Sequence, residues 1–149
     1  MTTAYPTAGV RITVTKFVAT AFINKDAAHY TLADTLLISN ANGLVSQAAG
    51  VNGPIRVERG AAVDLVFEVV NGDGTAAVYQ PVGISFFAKY GSIGLEDFPT
   101  RTVFADPFKR LLLRVHDANV HGNSFEFKVV LQRESDGALG VIDPQVDNA

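Results

Sequence analysis

His116, Asp117, Asn119 and His121 fall within six consecutive positions and are the densest set of side chains able to hold a cation or move a proton. Imidazoles and a carboxylate suit a divalent metal, and a histidine beside an aspartate suits general acid–base transfer. Extended backbone works against both. Adjacent strand residues point to opposite faces, so His116 and Asp117 diverge and only a loop returns His121 toward either. A third protein ligand would have to come from elsewhere, with His29 as the candidate. The plainer reading is a polar turn in which Asp117 and Asn119 cap backbone amides. We adopt that reading and assign no catalytic, cofactor-binding or metal-binding residue. Divalent-metal binding by the 116–121 loop stays as an alternative.

Other chemistry fares less well. Asn71-Gly-Asp-Gly74 lacks the glycine spacing of a dinucleotide fingerprint and has no P-loop lysine after it, so it reads as a hairpin turn. Glu96 and Asp97 are adjacent, with nothing to set them across a cleft as glycoside hydrolysis requires. Asp117-Ala-Asn119 lacks the later glutamate of an EF-hand calcium loop. Ser85 lies within a strand, and no Gly-x-Ser-x-Gly elbow occurs. The chain contains no cysteine, which removes thiol catalysis and thiolate-bound metals.

Charge excludes further classes. Twelve Lys and Arg against fifteen Asp and Glu leave a net charge of −3. Lys109-Arg110 followed by Arg114 is the nearest approach to a basic stripe, and it is too sparse to dominate phosphate contacts, so no nucleic-acid partner is expected. The Met1–Pro6 start lacks the basic and apolar regions of a signal peptide, and no apolar run approaches the roughly 18 residues of a membrane span. No membrane partner is expected, and cytoplasmic residence follows as the expectation.

These residues must be positioned by strands. Val10, Ile12 and Val14 alternate with polar neighbours. Val63, Leu65, Phe67 and Val69 do so more clearly, and Phe125, Phe127, Val129 and Leu131 most regularly of all; both sets are expected in the core. Shorter candidates are Ile55–Val57, Val82-Ile84-Phe86-Ala88 on one face, Thr102–Phe104, Leu111-Leu113-Val115 and an edge strand at Leu139–Ile142. Gly91–Arg101 reads as a loop. Between Asn24 and Gly53 strand and loop are preferred, with a short helix over Asp26–Leu37 as the alternative. Turn signals punctuate the whole chain. The pattern predicts an all-β fold, an antiparallel β-sandwich of immunoglobulin-like or jelly-roll type with about seven to nine strands. A closed barrel is the alternative. Residues 1–149 form one domain in this reading, with a flexible N-terminal arm at 1–9 and a polar tail at 145–149.

Apolar residues also fall on nominally outer faces. One of Phe86 and Phe87 must leave the core, and Val66, Val70 and Val130 raise the same question. Charged residues make up only 18% of the chain, below the usual figure of about 25%. These features predict a non-enzymatic structural or interaction domain that forms a homo-oligomer. A small-molecule or carbohydrate-binding module is the alternative, with Tyr30, Tyr79 or Tyr90 lining a groove; the absence of Trp weighs against it.

The order Leu111-Leu-Leu-Arg-Val-His-Asp117, Phe125-Glu-Phe-Lys-Val-Val-Leu131 and Asp143-Pro-Gln-Val-Asp-Asn148 resembles small bacterial proteins of the DP-EP family. The resemblance spans about the last quarter of the chain, with most weight on the Asp-Pro-Gln-Val-x-Asn segment. It implies a small β-rich bacterial protein and carries over no catalytic residue, cofactor or substrate.

Overall fold

Alternating apolar residues bounded by turns leave few choices other than strands, and every described element is one. The computed structural model describes residues 5–17, 28–33, 43–47, 50, 52–88, 98, 100–105, 111–119, 124–142 and 145–148. Its strands are β1 (Thr7–Val14), β2 (Ala28–Ala33), β3 (Val45–Gln47), β4 (Ile55–Val57), β5 (Val63–Asn71), β6 (Tyr79–Ala88), β7 (Thr100–Ala105), β8 (Leu111–Asp117), β9 (Ser124–Arg133), β10 (Leu139–Ile142) and β11 (Gln145–Asn148).

They form two sheets. One has the order β2-β1-β5-β8-β7. In the other, β6 lies along one edge of β9, while β10 and then β11 follow the opposite edge, and β11 continues to β4 and β3. The inner faces meet in a single core. Phe67 of β5 stands edge-on to Phe127 of β9 with centroids 5.5 Å apart. Val63, Leu65, Phe67, Phe125, Phe127, Val129 and Leu131 are all buried, as their alternation predicts, and Val69 packs partly buried against them.

Several expectations need correction. The sheets are mixed, because β1 pairs β5 in parallel and β11 pairs β4 in parallel. Parallel neighbours need a crossover of a dozen or more residues, and the chain between Val14 and Val63 supplies one. Eleven strands are described, more than the seven to nine expected, and the excess is in pieces of three or four residues. The arm proposed at 1–9 is already β1 from Thr7 onward, paired residue by residue with Asp64–Val66. The tail proposed at 145–149 is β11 over Gln145–Asn148, held between β9 and β4. Neither segment has strand-like composition, so tertiary pairing decides both.

Within 24–53 the helix alternative fails at Ala28–Ala33, which is β2, with Tyr30 buried; residues 24–27, 34–42, 48, 49 and 51 lie outside the described set. Val82 was expected to share a face with Ile84 and Phe86. A bulge between Pro81 and Gly83 slips the register, leaving Val82 exposed while Phe86 stays buried. Phe98, in the segment read as a loop, is a core residue. It stacks on Phe86 at 3.8 Å and meets Phe125 edge-on at 5.0 Å.

Truncating Phe98 removes a ring held between two others. Phe98→Ala should lower stability by about 3–5 kcal/mol, read as a shifted urea midpoint at unchanged slope.

Candidate functional site

Asp64 organises the polar groups on the outer face of the first sheet. It sits on β5 directly across from His116 of β8, with Arg114 two residues away on the same face. Arg114 donates from Nε (2.8 Å) and Nη2 (2.6 Å) to Oδ2 of Asp64. His116 Nδ1 lies 2.9 Å from Oδ1. The ring of Tyr5 rests against the imidazole at 4.4 Å, and the amide of Asp64 donates to the Pro6 carbonyl at 2.8 Å. Further along the same face Arg11 of β1 is paired with the buried Glu68 of β5. Val66 lies between the two ion pairs and is itself buried, because Arg114 stands opposite it and runs its stem diagonally toward Asp64. Charged side chains thus cover Val66, while Val70, further along the same face of β5, is half-buried.

His116 therefore works with Asp64, not with its sequence neighbour. Asp117 is fully buried on the other face, where Oδ1 accepts the Asn119 amide at 3.0 Å. Asn119 adopts a left-handed φ of 49° and donates from Nδ2 to the carbonyls of Glu58 (2.6 Å) and Ala61 (3.2 Å). That contact staples the exit of β8 to the turn between β4 and β5. His29 is placed on β2 opposite Thr13, three strands from β8, or about 14 Å across the sheet, so it does not complete a ligand set with His116. Among the described residues no three His, Cys, Asp or Glu gather as a metal site. His121, Glu96, Asp97, Lys109 and Arg110 lie outside the described residues.

Two of the three tyrosines proposed to line a groove are buried in different sheets. Tyr30 donates its hydroxyl to the Asn52 carbonyl at 2.8 Å, and Tyr79 donates to Asp73 Oδ2 at 3.1 Å. Tyr90 lies outside the described residues. Burial pushes the Tyr79 phenol above its ordinary value, and the Thr75 hydroxyl holds the Asp73 carboxyl below its own. Near Tyr79, Arg133 stacks over Phe17 at 4.8 Å and grips Asp136 through two hydrogen bonds of 3.0 and 2.6 Å. That bidentate bond, helped by the Ala138 amide, draws the Asp136 carboxyl from 3.8 down to about 2.

The outer face of the second sheet has a different character. Four large apolar side chains are exposed among the described residues: Tyr5, Val78, Val82 and Leu139. Three of them share this face. Val78 (53% exposed) precedes β6 and binds the Glu134 amide through its carbonyl, Val82 (37%) is the bulge residue, and Leu139 (50%) opens β10 opposite Gln132. Between them lie half-buried Val130 and Val141, directly opposite each other on β9 and β10. Of the residues expected outside the core, Val130 belongs to this patch, whereas the buried Val66 and the half-buried Val70 lie on the outer face of the first sheet. Phe87 is placed opposite Glu126 on β6, with its side chain outside the described set.

No protein-family model matches the chain, and no curated protein matches it. Among solved structures it is similar to the inclusion body protein PixA from Burkholderia cenocepacia J2315. The TM-score is 0.61 at 12% identity, over 99% of this chain and 98% of that one. At that identity the likeness shows the fold alone. PixA and this chain share it from end to end.

Two outcomes follow from these contacts. Asp64→Ala strands Arg114 and His116 on a half-covered face and should cost about 1–3 kcal/mol in urea unfolding. For Asp136, the lowered acidity of the folded state means that its stabilising effect is complete above pH ~4 and is lost as pH falls through about 2. An NMR titration should place the Asp136 carboxyl at about 2, and Arg133→Ala should return it toward 3.8.

Proposed function

We propose that this chain is a structural domain, a β-sandwich that acts by associating with copies of itself and catalyses no reaction. One observation carries the reading: three of the four exposed large apolar side chains lie on a single sheet face. Isolated surface valines and leucines are ordinary, but several gathered on one sheet face, here around Gln80 and Gln132, are characteristic of an interaction surface. The other sheet buries Val66 beneath ion pairs and leaves Val70 half-buried, whereas the exposed valines and leucine gather on the second sheet.

Supporting features are coarser. Charged residues are sparse at 18% of the chain. PixA, which shares the fold, is an inclusion body protein by name, and a self-associating role is compatible with that. Kinship with the DP-EP family is part of the same proposal. Its segments correspond to β8, β9 and the residues around β11, so the resemblance follows strands placed in both sheets. Cytoplasmic residence also belongs to it; among the described residues no helix is long and apolar enough to cross a membrane.

Sedimentation and light scattering across a concentration series test the reading. Between ~1 and ~200 μM the mass should climb above the 15.9 kDa of one chain. A mass fixed at the monomer value over that range sinks it.

A further inference from the structure

A cation and an anion stand on either side of the middle of the outer face of β9, Lys128 toward one end and Glu134 at the other. Lys128, Val130 and Gln132 share that face by alternation, and the hydrogen bond from the Glu134 amide to the Val78 carbonyl carries the ladder one residue further. By the same alternation Glu126 precedes Lys128, so the ridge reads Glu126, Lys128, Val130, Gln132, Glu134, with the exposed Lys128 and the exposed Glu134 about 20 Å apart on either side of its middle. The apolar residues flank its middle. Leu139 is level with Gln132, and Val141 is level with Val130. On the β6 side Gln80 is level with Gln132, and Gly83 is level with Val130. A Cβ placed on Gly83 would meet nothing within 4 Å, so this point of the face is open.

We propose that two copies of this chain pack these outer faces together about a two-fold axis that lies in the interface and crosses the strands. This geometry rests on the self-association argued above and specifies its surface and its hand. The axis reverses strand direction, so β9 runs antiparallel over β9 of the partner subunit, centred at the level of Leu131. Lys128 then faces Glu134 of the partner subunit, and Glu134 faces the partner's Lys128. Leu139 packs on the partner's Val141, and Gln80 fills the opening at the partner's Gly83. Each contact occurs twice, as an isologous interface requires.

Charge selects this axis over the other. A two-fold axis parallel to the strands would bring Lys128 toward the partner's Lys128 and Glu134 toward the partner's Glu134, replacing two attractive pairs with two repulsive ones. It would also lay Leu139 over β6 instead of over the complementary Val141. Face-to-face sheet packing with strands nearly aligned is the ordinary way for two sheets to bury apolar faces.

The test uses charge reversal in the full chain. Lys128, Glu134 and Leu139 are exposed in one chain, so at concentrations where the chain is monomeric their substitutions should leave the urea midpoint unchanged. Lys128→Glu or Glu134→Lys alone should weaken self-association roughly tenfold, because each converts two attractive pairs into repulsive ones. Combining them should restore it to within about threefold of wild type. An equimolar mixture of the two single variants should form a heterodimer in preference to either homodimer. Leu139→Asp should weaken association more than tenfold. Failure of the double variant to recover, or of the mixture to pair, overturns the antiparallel two-fold. Wild-type association unchanged by Leu139→Asp overturns this face while leaving self-association standing. A wild type that stays monomeric removes both.

Discussion

A chain of aromatic contacts between the two sheets is the constraint on which the rest of the molecule depends. Phe67 of β5 meets Phe127 of β9, Phe127 meets Phe86 of β6, Phe86 stacks on Phe98, and Phe98 closes on Phe125, at centroid separations from 3.8 to 5.5 Å. Side chains on a strand alternate faces, so slipping β9 by one residue would turn Phe125 and Phe127 outward and bury Lys128. The aromatic layer therefore sets the register of β9, and with it the identity of every residue on the opposite face.

The two sheets resolve their outer faces differently. On the first sheet, Asp64 and Glu68 interrupt an otherwise apolar central strand, and each is matched by arginine from a neighbouring strand. Burying a carboxylate is costly, and a paired guanidinium offsets that cost when its geometry is good. Long arginine stems then cover Val66. On the second sheet Val82 and Leu139 are exposed and Val130 is half-buried, and the bulge at Pro81–Gly83 turns Val82 outward. Bulges often re-aim a side chain at a functional edge, and here the re-aimed residue joins an exposed apolar surface.

The polar loop after β8 illustrates how sequence proximity misleads. His116 and Asp117 are neighbours, yet the strand sends one to the outer face and the other into the interior. The partner of His116 is Asp64, fifty-two positions earlier. Asp64 was visible in the sequence only as one polar residue in an alternating strand, with nothing to say that β8 would lie beside β5. Asn119, by contrast, behaves as an asparagine near a turn should: it takes positive φ and its side chain satisfies two backbone carbonyls.

What the sequence determined alone is the set of strands with strong period-two alternation, their inner faces and the all-β class, because alternation is a local property of the chain. Phe125–Leu131 and Val63–Val69 needed no partner to be recognised. Only the tertiary structure decided which strands lie side by side, since that depends on pairings between residues dozens of positions apart. It drew Thr7–Gly9 and Gln145–Asn148 into sheets through parallel neighbours, inserted Phe98 into the core, and joined His116 to Asp64. The same pairings brought Val78, Val82, Val130, Val141 and Leu139 onto one face. A patch made from three separate strands has no signature in any one of them.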